Sequence, residues 1–327
     1  MKAFDFGGMP PSGADAERLL EVPTGLLREA AARNPAVAEL DLDRALDRLE
    51  HRWLPYKGLQ VHLEVQPAKT GAPTFVIVPG LGDHARRQLA LATALADRGY
   101  ATVAVDRQGH GLSEGRRGDA TLAADFGVVE LAIGYARVRS QGPVVLLGDS
   151  LGGIMGWYLL TTEPDIEAAV CHCISHPDVR PDASYRFKEP VLRALARVLP
   201  QLPLSVRQIA DYDNVALDPV TKGYFDHEVD SLFNFTVSVR SAASYVGFRP
   251  PLDWERVTTP VLVMIGSEDR MVTPELTAAA FERAHPPRAE YLTVPGAGHQ
   301  LFLDDLAASL PALLDWSERT LPAALRS

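Results

Sequence analysis

The sequence predicts an α/β fold, with a mostly parallel central sheet flanked by helices. Three observations carry this. From residue 58, short Val- and Ile-rich runs alternate with longer amphipathic segments, the alternation that produces parallel strands joined by right-handed crossovers. Most of those runs are continuously apolar, as strands covered on both faces must be. The chain has 327 residues, of which 46% are hydrophobic and 23% charged, so one sizeable core is within reach.

Taken in order, residues 1–57 read as a helical extension, because Leu40, Leu42, Leu46, Leu49 and Trp53 recur near helical spacing among Asp, Arg and Glu. Strands are predicted at 59–65, 74–78, 101–105, 144–147, 168–174, 261–265 and 291–294, with helices at about 84–98, 120–139, 151–163 and 274–284. The core thus spans 58–175 and 252–327. Between them the alternation breaks. Residues 176–251 hold Pro177, Pro181, Pro190, Pro203, Pro219 and Pro250, and nine of the chain's 24 aromatics: Tyr185, Phe187, Tyr212, Tyr224, Phe225, Phe233, Phe235, Tyr245 and Phe248. An aromatic helical insertion between two sheet strands reads as a cap over the carboxyl edge, where open α/β sheets bind ligands. Most of those aromatics are expected to form the cap's own small core.

Composition narrows the function classes. A net charge of −10 and a pI of about 5.4 repel phosphate backbones, so nucleic acid is not an expected partner. The same charge disfavours docking on anionic membranes. The start of the chain has no basic segment followed by an apolar one, and no run of about 18 apolar residues occurs, so neither a signal peptide nor a membrane span is expected and a cytoplasmic location is the default. The two cysteines, Cys171 and Cys173, sit two apart in an apolar run. They are expected on one face of a strand, reduced, with no C-x-x-C spacing for zinc.

The chemistry starts at 143–153, where an apolar strand runs into Gly148-x-Ser150-x-Gly152 and then a helix-like segment. A nucleophile on a tight strand-to-helix turn needs tiny neighbours two before and two after, because the chain folds back on itself. The turn lifts Ser150 above the sheet, at a helix N-terminus whose dipole favours negative charge. A serine hydroxyl needs a base. His299, in the Gly-rich loop after the last strand, is the candidate, with His110 and His176 as rivals in other loops. The imidazole needs a carboxylate, which Asp269 supplies after the strand at 261–265, with Glu268 beside it as the alternative. Oxyanion donors are expected from the amides of Leu151, after the nucleophile, and Leu81, in Pro79-Gly-Leu-Gly-Asp83. No metal or organic cofactor is expected.

On Pro79-Gly-Leu-Gly-Asp-His84, Asp106-Arg-Gln-Gly-His-Gly-Leu-Ser-Glu-Gly115, Gly148-Asp-Ser-Leu-Gly-Gly153, Gly266-Ser-Glu-Asp269 and Gly296-Ala-Gly-His299, the sequence resembles the α/β-hydrolase superfamily, and within it the monoacylglycerol lipase and lysophospholipase-like group. The order Ser150, Asp269, His299 is the α/β-hydrolase order. The resemblance implies an α/β-hydrolase fold and a serine hydrolase of carboxylic esters, and the aromatic cap suggests a small-molecule substrate with an acyl chain or other apolar group. It also implies that the Asp106–Gly115 block is mainly structural. The sequence departs from the group at Pro79, where His is common, at Asp83, where Glu is usual, and at Asp149 and Leu151, where the elbow commonly reads His and Met. Thioester, amide, lactone or carbon–carbon substrates fit the same triad. A non-catalytic ligand-binding protein is the alternative of another class.

Overall fold

The computed structural model describes residues 3–4, 11–179, 185–246 and 248–321. Eight strands form the central sheet: β1 (Glu50–Tyr56), β2 (Leu59–Gln66), β3 (Thr74–Val78), β4 (Ala101–Val105), β5 (Val144–Gly148), β6 (Ala168–His172), β7 (Val261–Gly266) and β8 (Ala289–Val294). Their spatial order is β8-β7-β6-β5-β3-β4-β2-β1. The two pairings made by β2, with β1 and β4, are antiparallel and the others parallel. This is the α/β-hydrolase arrangement.

The continuously apolar strands alternate between two cores. Val76, Val144, Leu146 and Val263 face one side and Phe75, Ile77, Val145 and Met264 the other. The first core is closed by α6 (Leu122–Ser140), α7 (Leu151–Leu159) and α11 (Pro274–Ala284), the second by α5 (Leu89–Ala96) and α12 (Leu306–Thr320). Before the sheet come α1 (Gly13–Leu19), α2 (Glu21–Arg33), α3 (Pro35–Ala38) and α4 (Leu42–Arg48). Leu27, Val37 and Leu42 of these join the second core. The fully buried Arg86 ties them down, bonding Glu17, Thr24 and Glu64.

Two local expectations are corrected. Residues 50–56 were predicted as the end of the helical extension, but Glu50–Tyr56 is the edge strand β1. Tertiary pairing with β2 overrides the helical spacing that Leu49 and Trp53 suggest, and Pro55 fits an edge strand because it has no N–H to give. The strand at 168–174 stops at His172, and Cys173 has φ 64. The cysteines therefore do not share a strand face: Cys171 packs in the first core, and Cys173 turns toward the sheet's carboxyl edge. Both are free and buried.

Between β6 and β7 lie α8 (Tyr185–Val198), α9 (Pro219–Asp226) and α10 (Val239–Val246), with a short antiparallel ribbon of Pro203–Ser205 and Thr236–Ser238. Tyr212, Tyr224, Phe225 and Phe233 form a separate small core, while Tyr245 and Phe248 pack against the first core of the sheet. The side chains of Tyr185 and Phe187 lie outside the described residues.

Candidate active site

The turn after β5 is built by sterics. Ser150 has φ 53 and ψ −116, in the positive-φ region that side-chain-bearing residues avoid. A Cβ on Gly148 would lie 2.2 Å from the carbonyl oxygen of Gly152, and one on Gly152 would lie 2.0 Å from that of Val78. Only glycine permits this crossing, which leaves Ser150 immediately before the first turn of α7.

The loops after β7 and β8 bring the expected partners to it. His299 Nε2 is 2.9 Å from Ser150 Oγ, and His299 Nδ1 is 2.7 Å from Asp269 Oδ2. Asp269 is buried and Glu268 exposed, so of the two candidates it is Asp269 that meets the imidazole. The other Asp269 oxygen accepts the amides of Met271 and Val272, each at 2.9 Å. Burial works to raise the Asp269 carboxyl, but the hydrogen bond from His299 and the nearby charges of His172 and His299 hold it well below the usual carboxylate range. Burial also works to lower the His299 pKa, and the Asp269 contact reverses it. The rivals are elsewhere. His110 is buried against the carbonyl of Gln108, and burial with the nearby Arg107 charge keeps it well below its ordinary pKa. His176 lines the same cavity as Ser150 but is not bonded to it.

The Gly80–Asp83 loop passes over the serine, with a Cβ on Gly80 only 3.2 Å from that of Ser150. Three donors hold its successive carbonyls: Arg107 on Gly80 at 2.7 Å, the Tyr212 hydroxyl on Leu81 at 2.8 Å, and the Asn234 backbone N–H on Gly82 at 2.8 Å. A trans peptide points its N–H opposite its carbonyl, so anchoring Gly80 O on Arg107 aims the Leu81 N–H away from that anchor. Leu151, first residue of α7, has one of the N–H groups that a helix leaves without an internal partner. Leu81, Ser150 and Leu151 share the wall of one cavity of about 340 Å³, which continues between Ile154, Tyr158, Leu192, Val237, Tyr245 and Phe248.

A profile described as "Serine aminopeptidase, S33" matches residues 71–305. The chain belongs to that family of α/β hydrolases. This S33-family hydrolase is 26% identical over 262 residues to a monoacylglycerol lipase of Mycolicibacterium smegmatis, covering 78% of this chain and 91% of the relative. It is also 26% identical over 241 residues to a 2-(acetamidomethylene)succinate hydrolase of Mesorhizobium japonicum, covering 71% and 83%. Among solved structures, a soluble variant of the monoglyceride lipase of Saccharomyces cerevisiae superposes with a TM-score of 0.70 at 16% identity, covering 84% of this chain and 96% of that one. The Paleococcus ferrophilus monoacylglycerol lipase gives 0.63 at 24%, covering 79% and 97%. Within the described residues of the hydrolase, no helix is long and apolar enough to cross a membrane.

Sequence reasoning did not single out Arg107, Tyr212 and Asn234 as the supports of the Gly80–Asp83 loop, or His172 beside Asp269. Arg107 stood inside a recognised motif. Tyr212 and Asn234 lie more than 120 residues beyond the loop they hold, and their position carried no local signal.

Proposed function

We propose that the protein is a serine hydrolase of neutral carboxylic esters with an apolar acyl group, using Ser150, His299 and Asp269 with the Leu81 and Leu151 amides as oxyanion donors. The observation that carries this is the unbroken Ser150–His299–Asp269 chain, with contacts of 2.9 and 2.7 Å, at the wall of an apolar cavity. His299 Nε2 accepts the Ser150 proton while Asp269 holds Nδ1–H, and Ser150 Oγ attacks the ester carbonyl. The developing oxyanion meets the two amides, each worth about 3 kcal/mol in such sites. His299 then protonates the leaving alcohol and later activates water to release the acid.

The 176–251 segment acts as a cap, since Leu192, Val237 and Tyr245 face the same cavity as the serine. The cavity's chemistry supports the ester class. Its described lining residues include no carboxylate to hold a peptide's free ammonium and no Lys or Arg to hold a diacid. His176, on its wall, has its pKa lowered by burial, which disfavours a cation there. This favours monoacylglycerol-like or simple carboxylester substrates over aminopeptidase or succinate-type ones.

The test is labelling by a fluorophosphonate probe, followed by hydrolysis of p-nitrophenyl esters of rising chain length beside monoacylglycerols and lysophospholipids. Labelling lost in Ser150→Ala, with kcat/KM rising with acyl length, is the expected result. A folded wild-type protein that is never labelled overturns the reading in favour of a ligand-binding protein.

A further inference from the structure

Beside the Ser150–His299 contact lies a cluster that ester hydrolysis does not use. His172, Cys173, Asp269 and His299 are all buried, and one ligand-type atom from each lies within 4.8 Å of all the others. They come from three places: the end of β6, the loop after β7 and the loop after β8. From Asp269 Oδ2 the separations are 2.7 Å to His299 Nδ1, 3.7 Å to His172 Nε2 and 3.8 Å to Cys173 Sγ. Tetrahedral zinc, with bonds of about 2.0–2.3 Å to N, O and S, sets ligand-to-ligand edges of roughly 3.3–3.7 Å. Of the six edges of such a tetrahedron, two of the three that start at Asp269 Oδ2 are already close, the third needs to open by about half an ångström, and the remaining three, all within 4.8 Å, close to that range on binding.

A second observation points the same way. His172 Nε2 is buried and makes no hydrogen bond, while its Nδ1 is held by Asp149 at 2.6 Å, itself held by Gln88. An imidazole oriented by a carboxylate through one nitrogen and open at the other is how metal sites present histidine. The left-handed backbone of Cys173, φ 64, accompanies the placement of its sulfur against Asp269.

We propose that these four side chains bind a thiophilic divalent cation of the zinc class, and that occupancy switches the enzyme off. On binding, the Cys173 thiol loses its proton to solvent and its sulfur takes the metal. His172 coordinates through the Nε2 lone pair, shedding any proton it carries. Asp269 exchanges its hydrogen bond for a metal–oxygen bond, and the His299 proton shifts from Nδ1 to Nε2 as Nδ1 takes the metal. Nε2 is the atom that must accept the serine proton, so the loaded protein has no base. No redox change is involved. The inhibition rests on the serine-hydrolase reading, but the site does not.

The experiment titrates the full-length protein with cobalt(II), reading the near-ultraviolet thiolate-to-cobalt charge-transfer band, and measures zinc stoichiometry by equilibrium dialysis. One equivalent with the band is expected in wild type, Ser150→Ala and Cys171→Ser. The band disappears in Cys173→Ser, and zinc affinity falls at least 10-fold in Asp149→Asn. One equivalent of zinc slows fluorophosphonate labelling at least 10-fold, and a chelator restores it. The site is overturned if folded wild type binds no stoichiometric metal, if the band survives Cys173→Ser, or if Cys171→Ser removes it. Should Cys173→Ser not fold, the Cys171→Ser band and the Asp149→Asn affinity still decide. Stoichiometric binding with unchanged labelling overturns the switch alone. A metal-free protein that never labels overturns the hydrolase reading and leaves the site standing.

Discussion

Asp269→Asn is the substitution whose outcome the geometry fixes most tightly. One carboxylate oxygen faces His299 Nδ1 at 2.7 Å, and the other accepts two backbone N–H groups, from Met271 and Val272, at 2.9 Å each. An asparagine here has one orientation available. Its carbonyl must stay on the two N–H donors, because turning the amide around would set its NH₂ against both and lose two buried hydrogen bonds, each worth about 1 kcal/mol net with a larger desolvation cost behind it. The NH₂ group therefore faces His299 Nδ1 as a donor. Nδ1 must then be the acceptor, which places the ring proton on Nε2, the atom that has to take the proton of Ser150. The fold is undisturbed and the base is in the wrong tautomer. The corresponding change in a Ser-His-Asp protease costs about 10⁴ in kcat, or about 5.5 kcal/mol of transition-state stabilisation. A p-nitrophenyl ester assay should therefore show kcat down by ~10⁴ with KM within a few-fold, alongside an unchanged thermal melt. A loss under tenfold in kcat refutes the assignment of Asp269, and Glu268→Gln becomes the next variant to make.

Three other outcomes follow from the same contacts. Arg107→Met removes the guanidinium that holds Gly80 O at 2.7 Å and the buried Asp125 at 3.2 Å. Asp125 keeps the Tyr245 hydroxyl but loses its only charged partner among the described residues, and breaking a buried ion pair costs up to about 3–5 kcal/mol, so the melting temperature falls, and kcat falls further than KM rises; an unchanged kcat in the folded fraction rejects its role in aiming the Leu81 amide. Leu192→Trp fills part of the cavity of about 340 Å³, so kcat/KM for a long acyl ester drops ~10-fold while the acetate ester changes little, as one or two apolar groups in a pocket decide by 1–3 kcal/mol; an equal loss on both esters rejects the cavity as the acyl site. The buried His84 is paired with Asp230 at 2.7 Å. Burial pushes its pKa down, but the Asp230 charge and hydrogen bond, with Asp83 and Asp106 adding, raise it above 6.5. A raised histidine gives stability that is full below pH 6.5 and fades as pH climbs through the folded value. Thermal melts should therefore show stability declining on the alkaline side, with that part of the slope absent in Asp230→Asn; an identical slope in both proteins rejects the pairing as its source.

How much of this was legible in the sequence depended on the range of the signal. Ser150, Asp269 and His299 were readable because each stands in a short motif on a loop after an apolar strand, and parallel strands deliver all such loops to one edge. The central parallel strands were readable because burial on both faces leaves them almost continuously apolar, as in Val144–Gly148 and Val261–Gly266. Glu50–Tyr56 was not: an edge strand is half solvated, and its Leu49–Trp53 spacing also fits a helix until β2 is there to pair with. Tyr212 and Asn234 were not, because a hydroxyl or a backbone N–H reaching a carbonyl more than 120 residues away needs no motif. His172 falls inside the strand expected at 168–174 and carries no motif, yet its register was deducible. In this sheet Gly148 of β5 pairs with Cys171, and Met264 of β7 pairs with His172. Once Ser150 and Asp269 are placed just past the ends of β5 and β7, the strand between them must end in their midst, so His172 and Cys173 have nowhere to be except beside the carboxylate. Topology converts a residue's position in a strand into a position in the site, and the acid next to Gly148, Asp149, is what the second imidazole leans on.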